Sequence, residues 1–215
     1  MKRNCIILLV LASLSLAAGC RDTTIYSAEG TIERGDSVSL VLTDSEGSKT
    51  FQTKEARITG AGELIHGSPA RVTWQGKYRK GRETAAMEVW VSPVYAMLLG
   101  QWVEHTPDYH QGFELRAGGT AHGIEMSTVS VSQWELPDSD HLWMMGVILG
   151  SGENTVFEDT LEIEKLTSDS LVLRDGDYLM RLLRWTPERE AVRRKALEAA
   201  EAEAKAMESK RHPRK

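Results

Sequence analysis

Three histidines and an aspartate form the group of side chains best suited to binding a metal ion. His105, Asp108 and His110 occupy one predicted loop, and His122 lies on a nearby predicted strand. Imidazole and carboxylate groups are ligands for zinc and copper when they converge. Nothing in this spacing requires convergence, and histidines in a polar loop are more often simply exposed to water. We therefore assign no metal site and no cofactor.

Carboxylates concentrate around a second position, where a pair could act as general acid and base. Asp159 is accompanied by Glu158, Glu162 and Glu164. In a strand, alternation places the three glutamates on one face, which is most simply the solvated one. The G-x-S-x-G, P-loop, H-E-x-x-H and EF-hand motifs are absent from the sequence. We predict no catalytic residues and no enzymatic activity.

Aromatic and methionine side chains give a better indication of a ligand. Trp134 and Trp143 lie on neighbouring predicted strands joined by a turn, and we expect them to face each other. Met126, Met144 and Met145 add adaptable apolar volume nearby. These side chains either pack as core or form the wall of an apolar pocket. Trp134, Trp143, Met145 and Met126 are the candidate ligand-binding residues.

The start of the chain has the layout of a secretory signal. Two basic residues, an apolar run over 6–16 and three small residues precede Cys20. The apolar run is too short to span a bilayer. A cysteine directly after small residues resembles the bacterial lipobox, and the alternative is an ordinary cleaved signal with a chance cysteine. The resemblance implies removal of residues 1–19 and lipidation of Cys20.

Several acyl chains on one cysteine would hold the protein on a membrane. We therefore expect a location in the cell envelope, at the outer membrane, on its periplasmic or surface face.

Cys5 and Cys20 are the two cysteines, so the mature chain has no pair for a disulfide. Residues 96–186 contain fifteen acidic and five basic side chains, which argues against nucleic acid as a partner.

Residues 20–95 are predicted to form a small β-domain. Five segments alternate in polarity: Ile25–Ile32, Ser37–Thr43, Thr50–Thr53, Ala70–Gln75 and Ala85–Val91. The interval 54–68 contains three glycines and could hold a short helix or a loop. Five strands with an insertion between the third and fourth indicate an OB-like barrel, while a small sandwich or half-barrel remains open.

Residues 96–186 are predicted to form a second, larger β-domain. Eight segments are separated by tight turns: Gly100–His105, Gly112–Arg116, Thr120–Glu125, Val129–Leu136, His141–Leu149, Thr155–Lys165, Ser170–Arg174 and Asp177–Arg184. Short strands joined in sequence favour an up-and-down meander, and eight strands can close into a barrel. Closure removes the exposed edges that would invite aggregation. The fold class is thus all-β.

Specific residues of this domain resemble a known family. Gly100-Gln101-Trp102 matches a short G-x-W signature of lipocalins. The longer set is Gly112-Phe113-Glu114-Leu115, Gly119-Thr120-Ala121, Trp134, Asp159-Thr160-Leu161 and Leu171-Val172-Leu173. Together they resemble the lipocalin-like domain of Bacteroidetes lipoproteins, over about residues 97–186.

That resemblance implies a barrel closed at one end by Trp102, with an arginine of the last strand over its ring. Arg181 and Arg184 both lie on that strand, and we assign Arg184 to this contact. The resemblance also implies an envelope location and no catalytic site. The short strands favour a shallow or mostly filled interior.

Residues 187–215 are predicted to form a charged helical tail. Thr186 is a suitable N-cap, and Pro187 suits the first helical position. Large apolar residues are few, so the helix is expected to be exposed. The basic end at 210–215 could meet anionic lipid, lie against the acidic domain or be solvated.

These features favour an envelope lipoprotein whose second barrel binds a small apolar or amphiphilic ligand. The alternative is a protein-protein interaction or structural module that docks on an envelope protein. Because Cys20 lies just before the first strand, we expect the N-terminal domain to lie close to the membrane.

Overall fold

The computed structural model describes residues 22–104, 110–150 and 152–211. The first half contains β1 (Ile25–Gly35), β2 (Ser39–Asp44), β3 (Gly47–Gln52), β4 (Arg57–Gly60), β5 (Pro69–Gln75), β6 (Ala86–Val91) and the helix α1 (Pro93–Leu98). The second half contains β7 (Gly100–Val103), β8 (Gly112–Leu115), β9 (Ala121–Ile124), β10 (Val129–Glu135), β11 (His141–Ile148), β12 (Thr155–Leu166), β13 (Ser170–Asp175), β14 (Tyr178–Arg184) and the helix α2 (Pro187–Arg211).

The N-terminal sheet has the strand order β3-β2-β1-β5-β6-β4. An isolated parallel bridge between Gln52 and Ala85 brings the end of β3 to the start of β6. The sheet therefore curls around one core, which includes Phe51, Val72 and Trp74. A single curled sheet agrees with the OB-like barrel rather than with a sandwich of two sheets.

The interval 54–68 was expected to hold a helix or a loop, and this is wrong in part. It contains β4, which pairs in parallel with β6 from Arg57 to Gly60. Its sequence, Arg-Ile-Thr-Gly, contains one apolar residue and therefore shows no alternating pattern. The strand depends on the free edge of β6, with Ile58 packed against the core, so only tertiary pairing reveals it.

The C-terminal sheet confirms the eight predicted strands and their up-and-down order. Its strands follow the order β10-β11-β12-β13-β14-β7-β8-β9, and every pair is antiparallel. The two ends meet where Thr120 bridges to Gln133 and the Trp134 N–H donates to the Gly119 carbonyl at 2.8 Å. The sheet is thus a nearly closed barrel.

The apolar linker between the two sheets forms α1. The Ser92 hydroxyl caps it by accepting the Tyr95 N–H at 3.3 Å, and Pro93 occupies its first turn. Tyr95 and Leu98 are buried. The helix therefore contributes its apolar side chains to the core of the barrel.

Tyr95 also joins the two sheets. Its hydroxyl donates to the His66 carbonyl at 3.2 Å and accepts the Gly118 N–H at 3.1 Å. Ile65, from the connection between β4 and β5, is buried in the core of the barrel. This connection thereby docks onto the turn between β8 and β9.

The C-terminal helix predicted from residue 187 is confirmed. The Thr186 hydroxyl accepts the Arg189 N–H at 3.2 Å, as an N-cap does. Arg189 donates to the Arg184 carbonyl at 2.8 Å, and Arg193 lies 3.7 Å from the Glu125 carboxylate. Beyond these contacts most side chains up to residue 207 are exposed. Neither helix in the described ranges has the length and apolar character needed to cross a membrane.

Candidate functional site

The barrel encloses a cavity of about 220 Å³, which we call the barrel cavity. It opens at the end where β10, β12 and β14 begin. Its lining is mostly apolar and consists of Phe113, Met126, Val129, Val131, Met144, Phe157, Asp159, Leu161, Leu173, Asp175, Tyr178 and Met180. An apolar cavity with a few polar groups is the usual form of a small-molecule site.

The strand register determines which side chains face this cavity. Met144 on β11 pairs with Asp159 on β12, and Leu142 pairs with Leu161. Since side chains alternate along a strand, Asp159 shares the inner face with these apolar residues. Glu158, one position earlier, is on the outer face. Asp159 itself is exposed at the mouth of the cavity.

Trp102 and Arg184 close the opposite end of the barrel. The Arg184 guanidinium lies 4.2 Å from the centre of the fully buried Trp102 ring, a cation–π contact. Arg184 also donates to the carbonyls of Leu99 at 2.7 Å, Met97 at 2.5 Å and Ser168 at 2.6 Å. One guanidinium thereby joins α1, β7 and the turn between β12 and β13.

Arg181, the other arginine on β14, is exposed and makes no contact of this kind. It pairs with Val172 and follows Met180, which points inward, so the Arg181 side chain points outward. Arg184 lies opposite Trp102 in the register between β14 and β7. Burial lowers the pKa of Arg184 from its ordinary value, and the charge of Asp169 opposes this shift.

The expectation that Trp134 and Trp143 face each other is wrong. Trp134 pairs with Met144, and Trp143 pairs with Glu135. The two residues of each pair are therefore equally far from Ser139 along the chain, and Trp134 and Trp143 do not lie opposite each other. A displacement of one residue moves a side chain to the other face of the sheet, so Trp134 points inward and Trp143 points outward.

The candidate ligand-binding residues consequently separate. Met126 lines the barrel cavity, whereas Met145 pairs with Gln133 on the outer face, and its neighbour Met144 takes the inner position. Trp134 is fully buried and stacks on Tyr95 at 4.6 Å between ring centres. It forms core at the closed end of the barrel and does not line the cavity.

Most of the cavity residues had no signal in the sequence. Met180 belongs to a strand whose existence was predicted but whose inner face was not. On β12, the prediction that the glutamates face solvent implied that Phe157, Asp159 and Leu161 face inward, and the pairing with β11 confirms this. That these residues line a cavity depends on the tertiary structure.

The candidate metal ligands do not form a site in the described part of the chain. His110 is buried, with its Nε2 3.5 Å from a carboxylate oxygen of Glu190 on α2. The Nε2 of His122 lies 3.0 Å from Arg116 Nη1. His105 and Asp108 lie outside the described residues, as does Cys20. Within the described ranges, no three potential ligands come together.

The acidic cluster divides between the two faces of β12. Glu162 and Glu164 both form ion pairs with Arg174, at 3.9 Å for Glu162. These glutamates lie on the solvated face, as the alternation predicts. Asp159 alone of the four lines the cavity.

Outside the cavity, His141 is expected to titrate above the usual range of histidine. Its Nδ1 lies 2.9 Å from a carboxylate oxygen of Asp138, and this hydrogen bond raises the pKa of His141. The pair therefore stabilises the folded state where His141 is protonated and Asp138 is ionised. This contribution is lost as the pH rises through the folded-state pKa of His141 and as it falls through the lowered pKa of Asp138. NMR titration should show a lower His141 midpoint in Asp138→Asn. An unchanged midpoint would contradict the pairing.

Comparison with known proteins gives two matches. A sequence model described as lipocalin-like matches residues 94–185. A solved lipocalin-like protein from Bacteroides thetaiotaomicron is 32% identical, over 41% of this chain and 97% of its own, with a TM-score of 0.39. No protein with a curated description matches the chain.

Proposed function

Since this chain belongs to the lipocalin-like family through residues 94–185, we propose that its barrel binds a small apolar or amphiphilic molecule. The family fold supports a ligand-binding or structural module and is generally non-catalytic. The observation that favours ligand binding is the barrel cavity, because its inner wall of apolar side chains is open to solvent at one end.

The size of the cavity limits its ligand. Ligand pockets usually measure about 300–1,000 Å³, and the barrel cavity measures about 220 Å³. It therefore suits one short hydrocarbon chain or a single small ring system. This agrees with the shallow interior expected from the short strands.

Filling the cavity should abolish binding. Met180→Trp adds a bulky ring to the cavity wall, and we expect it to weaken binding of octanol at least about tenfold, because the ring occupies the space of the chain. Isothermal titration calorimetry measures this directly. Met145→Trp, on the outer face of β11, is the matched control and should bind octanol as the unmodified protein does.

A saturable octanol isotherm that survives Met180→Trp would show that the binding site lies elsewhere. If the unmodified protein binds neither octanol nor the eight-carbon amine and carboxylate, the proposed function is wrong. The alternative, a structural or interaction module, would then be favoured.

We further propose that the protein is an envelope lipoprotein held through Cys20. Asp22, two residues after this cysteine, accepts the Thr24 N–H at 3.0 Å, and the Thr24 carbonyl accepts the Gly76 N–H at 2.9 Å. The anchor would thus leave the protein beside the connection from β5 to β6. That connection carries four basic side chains, Lys77, Arg79, Lys80 and Arg82.

This charge supports the proposal, because basic side chains near an anionic lipid surface each contribute about 1 kcal/mol to membrane binding. The N-terminal barrel would then face the membrane with a basic loop. The acidic second barrel would project its cavity into the aqueous space.

Lipidation can be tested by metabolic labelling with radioactive palmitate in a Gram-negative host. Cys20→Ser should lose the label and release the protein from the membrane fraction. Cys5→Ser is the matched control and should keep the label, because that cysteine lies in the proposed signal. Label retained in Cys20→Ser would contradict the proposed anchor.

A further inference from the structure

Two carboxylates stand at the mouth of the barrel cavity. Asp159 and Asp175 both line it, on the neighbouring strands β12 and β13. The register pairs Glu162 with Arg174, and its continuation puts Asp175 beside Leu161. Asp159 is two residues before Leu161 on the same face. The two aspartates are therefore diagonal neighbours, with about 7–8 Å between their backbones.

Neither carboxylate is neutralised by the protein in the part of the chain that the structure describes. No ion pair or side-chain hydrogen bond joins Asp159 or Asp175 to another described residue. The glutamates on the outer face of β12 differ, because Arg174 pairs with Glu162 and Glu164. Arg174 thus lies outside the barrel. The negative charge of Asp159 and Asp175 at the mouth of the cavity is therefore available to a ligand.

An aromatic ring completes the mouth. Tyr178 pairs directly with Asp175 and is 58% exposed. The face of a tyrosine ring attracts a cation, by about 0.5–1 kcal/mol at an exposed site. Below this level the lining is apolar, with Met144, Leu161 and Leu173. Going inward, the site changes from negative to apolar within a few ångströms.

We propose that the barrel cavity selects a short amphiphile with a cationic head group, such as a primary alkylamine. The hydrocarbon occupies the apolar cavity, and the ammonium group lies between Asp159 and Asp175 beside the Tyr178 ring. This inference rests on the proposed function and specifies its ligand class. Electrostatic steering by the acidic second barrel favours the same charge.

The two carboxylates also act against anionic ligands. A fatty acid placed with its chain in the cavity would bring a third negative charge to a mouth that holds two. Like charges in one site are mutually destabilising. The mouth therefore discriminates among molecules of equal length by the charge of the head group.

Calorimetry with octylamine, octanol and octanoate at neutral pH and low salt tests this selectivity. The amine is protonated at that pH, as a lysine is. We expect octylamine to bind about tenfold more tightly than octanol, since partly exposed ion pairs of this kind contribute modestly, and octanoate to bind most weakly. The advantage of octylamine should shrink as salt is added.

Two variants locate the charge effect. Asp159→Asn and Asp175→Asn should each lower octylamine affinity several-fold more than they change octanol affinity, and retained octanol binding shows that the barrel is folded. Glu158→Gln is the matched control, since this glutamate lies next to Asp159 on the outer face. Met180→Trp should remove octylamine binding, whereas adsorption to the acidic surface would survive it.

The possible failures are distinguishable. Octanol and octylamine binding equally well, or octanoate binding best, would overturn the selectivity and leave the proposed function intact. Octylamine binding that is lowered as much by Glu158→Gln as by Asp159→Asn would also overturn it. Absence of binding by all three molecules would contradict the proposed function itself.

Discussion

Replacing Arg184 with alanine is expected to lower the free energy of unfolding by about 3 kcal/mol. The guanidinium lies over the Trp102 ring and donates to three backbone carbonyls, two at the end of α1 and one in the turn between β12 and β13. Its removal takes away the cation–π contact and leaves carbonyls at the closed end without their donor. Charge-assisted hydrogen bonds contribute about 1.5–3 kcal/mol each, and partial exposure here reduces that value.

Urea denaturation followed by tryptophan fluorescence measures this loss. Arg181→Ala is the matched control, because Arg181 lies on the outer face of the same strand and should change stability by less than about 0.5 kcal/mol. Arg184→Lys keeps the charge but loses the planar fork that reaches three acceptors, so it should restore only part of the stability. Equal losses from Arg181→Ala and Arg184→Ala would contradict the role assigned to Arg184.

Replacing Tyr95 with alanine is expected to cost about 3–5 kcal/mol, the usual cost of removing a buried aromatic side chain. Tyr95 stacks on Trp134, and its hydroxyl joins His66 of the first sheet to Gly118 of the second. The substitution should therefore separate the two domains as well as destabilise the barrel. Calorimetric unfolding, which should be one transition in the unmodified protein, should split into two.

A milder change separates packing from hydrogen bonding at this position. Tyr95→Phe keeps the ring and removes the hydroxyl, while the Gly118 N–H still donates to the His66 carbonyl at 3.0 Å, so the expected cost is about 0.5–1 kcal/mol. Tyr178→Ala is the control, because this tyrosine is exposed at the mouth of the cavity. A single unshifted transition in Tyr95→Ala would show that the domains are coupled elsewhere.

The structure confirms the assignment of Arg184 rather than Arg181 to the Trp102 contact. The sequence places both Arg181 and Arg184 on the last strand, and only the pairing of Arg184 with Trp102 shows which one reaches the closed end. Strand pairing likewise determines which of the candidate ligand-binding residues point into the barrel. Trp143 and Met145 are outside because Trp134 pairs with Met144, and a one-residue change of register, with Trp134 opposite Trp143, would place both inside.

Short-range sequence patterns were sufficient to predict most of the strands and the C-terminal helix. Tight turns and alternating polarity predicted the eight strands of the barrel, and the Thr186 cap predicted the start of α2. Both kinds of signal arise within a few residues of the chain. The strand β4 was not predicted because Ile58 is its one apolar residue, and the helix α1 was not predicted because six residues are too short to show a helical period.

What the sequence by itself determined was therefore the class of the protein: two β-domains, the order of the strands in the barrel, the charged helix and the family resemblance. Only the tertiary structure decided which faces of β10, β11 and β14 are inside, how the two sheets join through Tyr95, and that Asp159 and Asp175 share the mouth of one cavity. The physical reason is that alternation defines two faces of a strand but not which of them is buried. That choice depends on the register between strands, and a shift of one residue exchanges the inner and outer sets.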